Sequence, residues 1–289
     1  MNNLLKLSRP YQYVKNLFIF LPAFFAFEVT NINLMTDALI SFLAFSLIAS
    51  AVYIINDWSD RKEDALHPTK KNRPIASGKV SSLQAFGFLV ILLISGLLLA
   101  YTVSITVLYL IIAYLFMNVF YSLKLKAIAI VDIMTISTGF VIRLFVGSEA
   151  TEVYLSQWII VITFLLALFL ALAKRRDDVL IFLKTEQKMR KAVNGYNLKL
   201  LDAAMVMTST IVILAYIIWS ISEEVVTRIH SENLYITAFF VIMGILRYMQ
   251  ITFVEEKSGN PTKIILKDLF IQITLLAWVI SFVWILYLS

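Results

Sequence analysis

The sequence contains no cysteine and only two histidines among its 289 residues. Disulfides and cysteine-ligated metals are therefore excluded, and two histidines are too few for a histidine metal site. Charged residues are also scarce, at 15%, whereas 60% of the chain is hydrophobic and the mean hydropathy is +0.84. This composition is too apolar for a soluble domain and indicates an integral membrane protein.

Nine apolar stretches approach the length of about 20 residues that a helix needs to cross a hydrocarbon core of about 30 Å. They predict spans near residues 12–30, 35–55, 82–102, 104–121, 128–147, 156–173, 201–221, 233–251 and 268–288. With the N-terminus in the cytoplasm, 22 of the 25 basic residues fall on inner segments, as the positive-inside rule requires. The sequence therefore predicts a single all-α membrane domain over residues 1–289, with nine transmembrane helices and a cytoplasmic N-terminus.

The net charge of +6 follows from this topology and favours contact with the anionic lipid bilayer rather than with nucleic acid. Two inner loops, 56–81 and 174–200, are long and rich in charge, whereas the other inner connections are short. Because functional residues concentrate on such loops, we expect the active site there. The predicted location is the bacterial plasma membrane, with a multi-pass chain whose active site faces the cytoplasm.

The first of these loops begins with acidic residues at helical spacing. At about 100° per residue, Asp57, Asp60 and Asp64 lie at about 0°, 300° and 340° and share one face. Three carboxylates on one face repel one another unless a cation joins them, and hard oxygen ligands without histidine or cysteine favour Mg²⁺. Lys70 and Arg73, further along, are candidates for binding phosphate oxygens. The alternative is that the acids only balance the basic residues that an inner loop collects.

The spacing N-D-x-x-D-x-x-x-D at residues 56–64 resembles the first signature of the UbiA superfamily of intramembrane prenyltransferases. Further matches indicate its decaprenyl-phosphate phosphoribosyltransferase-like branch. They are RPYQYVKN at 9–16, HPTKKNRPIASG at 67–78, YSLKLK at 121–126, an aspartate followed by GFVIR in span 5, KRRDDV at 174–179, RYMQ at 247–250 and GNPTKIILKD at 259–268. The resemblance covers nearly the whole chain and implies a UbiA-like helical bundle.

The activity implied by this resemblance is a Mg²⁺-dependent glycosyl transfer. A 5-phosphoribosyl group would move from phosphoribosyl pyrophosphate to a polyprenyl phosphate, with release of pyrophosphate, in the synthesis of cell-envelope glycans. Mg²⁺ on Asp57, Asp60 and Asp64 would neutralise charge on the leaving group. The candidate substrate-binding residues are Gln12, Lys15, Asn16, Asn56, Lys70, Arg73, Tyr121, Lys126, Asp132, Lys174, Arg175, Arg176, Asp178, Arg190 and Tyr196.

Two other classes of function stay open from the sequence. An aromatic prenyltransferase using a prenyl diphosphate would share the first acidic motif. It would also carry a second acidic motif after span 6, where this chain has a basic cluster followed by Asp177 and Asp178. A transporter or passive scaffold is disfavoured, because polar groups collect at the cytoplasmic end of the spans. The polyprenyl chain length, the role of Arg143, a second metal at Asp177 or Asp178, and homo-oligomerisation are left open.

Overall fold

The computed structural model describes residues 3–26, 28–66, 70–185 and 191–287. These residues form helices joined by turns and short connections, with no β-strand among them. The α-helices are α1 (Asn3–Ser8), α2 (Leu21–Phe25), α3 (Ile32–Ser59), α4 (Arg61–Leu66), α5 (Ser82–Val103), α6 (Ile105–Leu123), α7 (Val131–Ala150), α8 (Gln157–Thr185), α9 (Leu198–Ser220), α10 (Glu223–Ile229), α11 (Ala238–Phe253), α12 (Pro261–Lys267) and α13 (Leu269–Tyr287). The 3₁₀ helices are Pro10–Phe20, Lys70–Asn72, Leu125–Ala127, Lys191–Gly195 and Asn233–Thr237.

Eight helical segments within the described ranges are long and apolar enough to cross a membrane, and they coincide with the last eight predicted spans. The all-helical membrane fold is thus confirmed. Residues 12–30 differ in form, because this region contains most of the 3₁₀ helix Pro10–Phe20, followed by α2. At rises of about 2.0 and 1.5 Å per residue, the two helices together reach about 30 Å. The count of nine spans and the cytoplasmic N-terminus stay predictions.

The chain divides into two compact units, the first made of Met1–Lys126 and Thr138–Leu155. Its central helix is α3, which packs against α5, α6 and the 3₁₀ helix Pro10–Phe20. Gly147 of α7 permits a close approach to this 3₁₀ helix, since a Cβ atom there would lie 2.0 Å from the carbonyl oxygen of Ile19. The buried core of this unit includes Ile19, Phe45, Ile48, Ile111 and Tyr114.

The second unit consists of Ala127–Ser137 and Ser156–Ser289. Helix α8 packs against α9, and α11 packs against α9 and α13. Helix α9 begins after Asn197, whose side-chain oxygen accepts a hydrogen bond from the backbone N–H of Leu200 at 2.8 Å. The core of this unit includes Phe169, Leu172, Leu201, Met205 and Tyr248. The prediction of one domain over residues 1–289 stays a prediction.

One predicted boundary is wrong. The inner loop was expected to begin at residue 174, but α8 continues to Thr185. The segment 174–185 contains no glycine or proline and is rich in residues that favour helix, so nothing local ends the helix at the edge of the apolar stretch. The basic cluster Lys174, Arg175 and Arg176 therefore lies on a rigid helix, which directs the two arginines to different partners.

Candidate active site

The predicted acidic face lies where α3 ends and α4 begins. The helical hydrogen-bond pattern continues across this junction. The N–H of Asp60 donates to the carbonyl of Asn56 at 2.9 Å, and the N–H of Asp64 donates to the carbonyl of Asp60 at 2.8 Å. The carboxylates therefore keep roughly the helical phase that their spacing predicts.

Asp57 and Asp64 converge on one cation. Arg73 Nη1 donates to Asp57 Oδ1 at 3.0 Å and to Asp64 Oδ2 at 2.6 Å. Arg9 Nη2 donates to the same oxygen of Asp57 at 2.5 Å. The side chains of Asp57 and Asp64 are 3% and 4% exposed, whereas that of Arg73 is 24% exposed. Two buried carboxylates thus present neighbouring oxygens to a single cationic position.

Asp60 makes different contacts. Its Oδ1 accepts a hydrogen bond from Lys126 Nζ, and its Oδ2 accepts one from Asn56 Nδ2 at 3.2 Å. Lys126 belongs to the 3₁₀ helix Leu125–Ala127, far along the chain. The structure therefore divides the predicted set of three carboxylates, because Asp57 and Asp64 share Arg73 and Asp60 pairs with Lys126. A role of Asp60 as a third metal ligand stays a prediction.

The chemistry of the paired carboxylates fits a hard divalent cation. In the described ranges, no three carboxylate, histidine or cysteine side chains are arranged together as metal ligands. Mg²⁺ usually takes only one or two carboxylates and completes its shell with water and phosphate oxygens. Asp57 and Asp64 provide that number, and the nitrogen of Arg73 between them marks a position at which they accept a cation.

Sequence reasoning missed Arg9 as a site residue. Its backbone lies in the left-handed region, with φ 50° and ψ 58°, which few residues other than glycine adopt. This conformation directly precedes Pro10 at the start of the 3₁₀ helix. The guanidinium lies 5.0 Å from the ring centre of Tyr53 and reaches Asp57. The signal in the sequence was the basic residue that opens the RPYQYVKN motif.

The other predicted residues of this motif lie in the 3₁₀ helix. Asn16 accepts a hydrogen bond from Arg143 Nε at 2.8 Å and donates one to Ser46 Oγ at 2.9 Å. Gln12 is buried and Lys15 is half-buried. Arg143 is itself buried in α7, so its contact with Asn16 ties the 3₁₀ helix to α7 within the first unit.

A second cluster lies in the second unit, where Arg175 joins two carboxylates. Arg175 Nε donates to Asp132 Oδ2 and its Nη1 donates to Asp178 Oδ2, both at 2.5 Å. Tyr196 Oη donates to Asp132 Oδ1 and accepts from the N–H of Ile130, both at 2.6 Å. Burial and the hydrogen bond to Asp132 raise the pKa of Tyr196, so its phenol stays protonated and remains a donor.

Four predicted site residues, Asp132, Arg175, Asp178 and Tyr196, are thus brought together. The side chains of Arg175 and Asp132 are fully buried, and that of Asp178 is 14% exposed. The guanidinium of Arg175 therefore pairs with carboxylates of the protein itself. Its direct contact with substrate phosphate stays a prediction, which the burial does not favour.

Arg176 faces different partners. Its Nε donates to Asp202 Oδ1 at 2.7 Å, and its Nη1 donates to the carbonyl of Thr252 at 2.8 Å. Its guanidinium also lies 4.9 Å from the ring centre of Phe253. Asp202 was not predicted, because no motif or helical spacing links it to Arg176. The Asp202 side chain is 40% exposed, whereas that of Arg176 is 8% exposed, so the ion pair meets solvent on the side of Asp202.

Four predicted residues belong to neither cluster. Lys70, Tyr121 and Lys174 are half-buried. Arg190 lies outside the described residues. The substrate-binding roles of all four stay predictions.

Replacing Tyr196 with phenylalanine tests the Asp132 cluster. The change removes a donor from Asp132 and an acceptor from the N–H of Ile130, so polar groups are left unpaired. We expect the free energy of unfolding to fall by about 1–3 kcal/mol. Thermal unfolding in detergent measures this effect, with Tyr154→Phe as the control, because Tyr154 is 78% exposed. Equal midpoints for the two variants would contradict the assigned hydrogen bonds.

The connection before α12 packs closely against α8. Ser258 Oγ donates to the carbonyl of Ala173 at 2.8 Å. A Cβ atom at Gly259 would lie 2.1 Å from Asp177 Oδ2 and 3.6 Å from Asp177 Cβ. Only the carboxylate of Asp177 therefore blocks a larger residue at this position.

Gly259→Ala is accordingly expected to destabilise the protein by about 1–3 kcal/mol. Adding Asp177→Ala should restore most of the loss, since the remaining Cβ contact of 3.6 Å is an ordinary one. Gly244→Ala is the matched control, because its Cβ would meet only Thr274 Cγ2, at 3.9 Å. Unfolding midpoints of five proteins decide the matter, namely the wild type, Gly259→Ala, Asp177→Ala, the double variant and Gly244→Ala, and additive effects of the two changes would argue against the contact.

The fold and the two clusters define an all-helical integral membrane protein in which two groups of carboxylates are paired with basic residues. The profile of the UbiA prenyltransferase family matches residues 16–273, and the chain belongs to this family. The predicted resemblance is confirmed, and so is the assignment of the protein as a transferase.

Relatives match this chain over nearly its whole length. It is 28% identical to a decaprenyl-phosphate phosphoribosyltransferase of Mycolicibacterium smegmatis, over 96% of this chain and 90% of that protein. It is 30% identical to one of Corynebacterium glutamicum, over 99% and 87% of the two chains. A solved UbiA homologue of Archaeoglobus fulgidus, bound to DMAPP and Mg²⁺, shares the fold with a TM-score of 0.73, 17% identity and full coverage of both chains.

Proposed function

We propose that the protein transfers 5-phosphoribosyl from phosphoribosyl pyrophosphate to a polyprenyl phosphate, in a Mg²⁺-dependent reaction that releases pyrophosphate. The observation that carries the proposal is the convergence of Asp57 and Asp64 on one cation, in a chain with full-length relatives that bear the name of this activity. Prenyl-phosphate lipid in the cytoplasmic leaflet is the acceptor under this proposal. Under this proposal, the product of the transfer is used in the synthesis of cell-envelope glycans.

The first cluster suits a diphosphate leaving group. Asp57 and Asp64 would hold the metal, which neutralises negative charge that grows on pyrophosphate as it leaves. Arg9, Arg73 and Lys126 surround the carboxylates and are suited to bind diphosphate oxygens through charge-assisted hydrogen bonds. These side chains hold the leaving group in place, so catalysis here is positioning combined with charge stabilisation.

The acceptor needs little activation. A phosphate monoester is largely ionised near neutral pH, so its oxygen attacks the anomeric carbon without a general base. The bond from that carbon to pyrophosphate breaks, and a bond to the acceptor oxygen forms. The chemistry therefore does not depend on a histidine, in keeping with a chain that has only two.

Arg175 of the second cluster and the neighbouring Arg176 take different roles in this proposal. Arg175 is fully buried between Asp132 and Asp178, and it acts as a positioning residue that joins α8 to the start of α7. Arg176 exchanges the partly exposed Asp202 for a substrate phosphate. Lys174, half-buried beside them, adds positive charge that offsets repulsion between anionic substrates.

A transfer assay with purified protein in detergent tests this function. Phosphoribosyl pyrophosphate labelled in the ribose is supplied with Mg²⁺ and polyprenyl phosphates of several lengths. We expect the label to enter the lipid phase only when both Mg²⁺ and the lipid phosphate are present. The Asp57→Asn protein, prepared in parallel, controls for transfer by a contaminant.

A parallel reaction separates this proposal from the aromatic prenyltransferase alternative. It contains a prenyl diphosphate, Mg²⁺ and an aromatic acid in place of the ribose donor and lipid phosphate. Product in this reaction alone would overturn the proposal. If neither reaction gave product although the protein bound Mn²⁺ and pyrophosphate, the proposed reaction would be wrong. The protein would then be a diphosphate-binding transferase that acts on another substrate.

A further inference from the structure

Three cationic side chains neutralise the carboxylate cluster, and each comes from a different segment. Arg9 precedes the first 3₁₀ helix, Arg73 follows α4, and Lys126 follows α6. Arg73 alone bridges two carboxylates, with Nη1 3.0 Å from Asp57 Oδ1 and 2.6 Å from Asp64 Oδ2. A Mg²⁺ ion binds oxygen ligands at about 2.0–2.1 Å, so it cannot share this position with a guanidinium nitrogen.

We propose that Arg73 is the resident counter-ion of the metal site, and that it gives up this place to the divalent cation when the donor diphosphate binds. The inference rests on the proposed function for the metal and the diphosphate. The two aspartates are almost fully buried, whereas the Arg73 side chain is 24% exposed, so the arginine is the more accessible partner. Its planar guanidinium then pairs with phosphate oxygens, for which its geometry is well suited.

The charges make this exchange cooperative. Metal alone would displace one positive charge and leave it beside a doubly charged ion, which is unfavourable at short range. A diphosphate supplies negative charge that pairs with both the metal and Arg73. Metal and diphosphate therefore bind with positive coupling, and the coupling is reciprocal. Without Arg73, no arginine bridges the two carboxylates, so the binding of the metal depends less on diphosphate.

Metal binding tests this proposal without any turnover. Purified full-length protein is dialysed against Mn²⁺, a divalent cation with oxygen-ligand preferences like those of Mg²⁺, with and without inorganic pyrophosphate at matched free Mn²⁺. We expect Arg73→Gln to retain Mn²⁺ alone about tenfold more tightly than the wild type, which corresponds to about 1.4 kcal/mol. Pyrophosphate should raise retention by the wild type at least about tenfold, and by Arg73→Gln far less.

Two further variants make the result specific. Lys62→Gln removes the same charge from an exposed position on α4 and should match the wild type. Arg73→Lys keeps the charge but places it on a shorter side chain, whose ammonium reaches the position of Nη1 between the two carboxylates less well, so its affinity for Mn²⁺ alone should lie between the other two. If Arg73→Gln fails to fold, Arg73→Lys carries the comparison, and tighter binding than wild type supports the exchange.

Several results would overturn the exchange: unchanged or weaker Mn²⁺ binding in the Arg73 variants, equal gains in Lys62→Gln, or no pyrophosphate effect in the wild type. The outcome is separable from that of the proposed function. Altered Mn²⁺ binding in a protein that does not transfer ribose leaves the exchange intact and removes the proposed reaction. If the wild type transfers ribose but Arg73→Gln binds Mn²⁺ as the wild type does, the proposed reaction stands and the exchange is wrong.

Discussion

Replacing Asp57 with asparagine is expected to lower kcat/KM about a hundredfold or more while the protein still inserts and folds. The asparagine keeps the size of the side chain but removes the charge that accepts hydrogen bonds from Arg9 and Arg73 and that would bind the metal. Several kcal/mol of charge stabilisation depend on that carboxylate, which corresponds to this loss of rate. Initial rates of the ribose-transfer assay over a Mg²⁺ titration give the measurement.

The control for Asp57 is Glu63→Gln. Glu63 is an exposed carboxylate on α4, so the variant loses the same charge close by in the sequence and should keep the wild-type rate. A lowered rate at saturating Mg²⁺ in both variants would indicate a general charge effect. A near-wild-type rate for Asp57→Asn would remove Asp57 from the metal site.

Replacing Arg175 with alanine is expected to cost about 3–5 kcal/mol of folding free energy, because the change leaves buried carboxylates without their cation. The Asp132 side chain is fully buried, that of Asp178 is 14% exposed, and both pair with Arg175. Arg175→Ala/Asp132→Asn should recover part of the loss, since one of the unpaired charges is then gone. Thermal unfolding in detergent, with insertion checked by size-exclusion chromatography, measures each effect.

Arg176→Ala is the comparison, and its expected profile is different. Its ion pair with the partly exposed Asp202 is worth about 1 kcal/mol or less, and its charged hydrogen bond to the carbonyl of the buried Thr252 adds about 1.5–3 kcal/mol. As a phosphate ligand, however, it should lower kcat/KM roughly 10- to 150-fold. An Arg175→Ala protein of full stability but low activity would instead place Arg175 on the substrate.

The membrane character and the spans are properties that the sequence alone reveals. Hydropathy averaged over about 20 residues outweighs local detail, because the bilayer requires every backbone group to be paired within a helix. The acidic face was predictable for a related reason, since Asp57 and Asp64 are seven residues apart and near two full helical turns. The family could be recognised from short motifs that occur in the same order along the chain, and the family match over residues 16–273 confirms it.

The type and the length of two helices could not be predicted from hydropathy. The first span contains a 3₁₀ helix, and α8 runs past the apolar stretch to Thr185. Both features depend on the pattern of backbone hydrogen bonds, which hydropathy does not describe. The left-handed backbone of Arg9 is similar, because only the surrounding contacts hold a residue other than glycine in that region.

By itself, then, the sequence determined an all-helical membrane protein of the UbiA type, with acids at one helix end and bases near them. Only the tertiary structure decided which base meets which acid. Arg9 pairs with Asp57 across 48 positions, Lys126 with Asp60 across 66, and Arg175 with Asp132 across 43. Helical periodicity relates residues within one helix, whereas these pairs form only when separate helices pack, so their partners follow from packing and not from spacing.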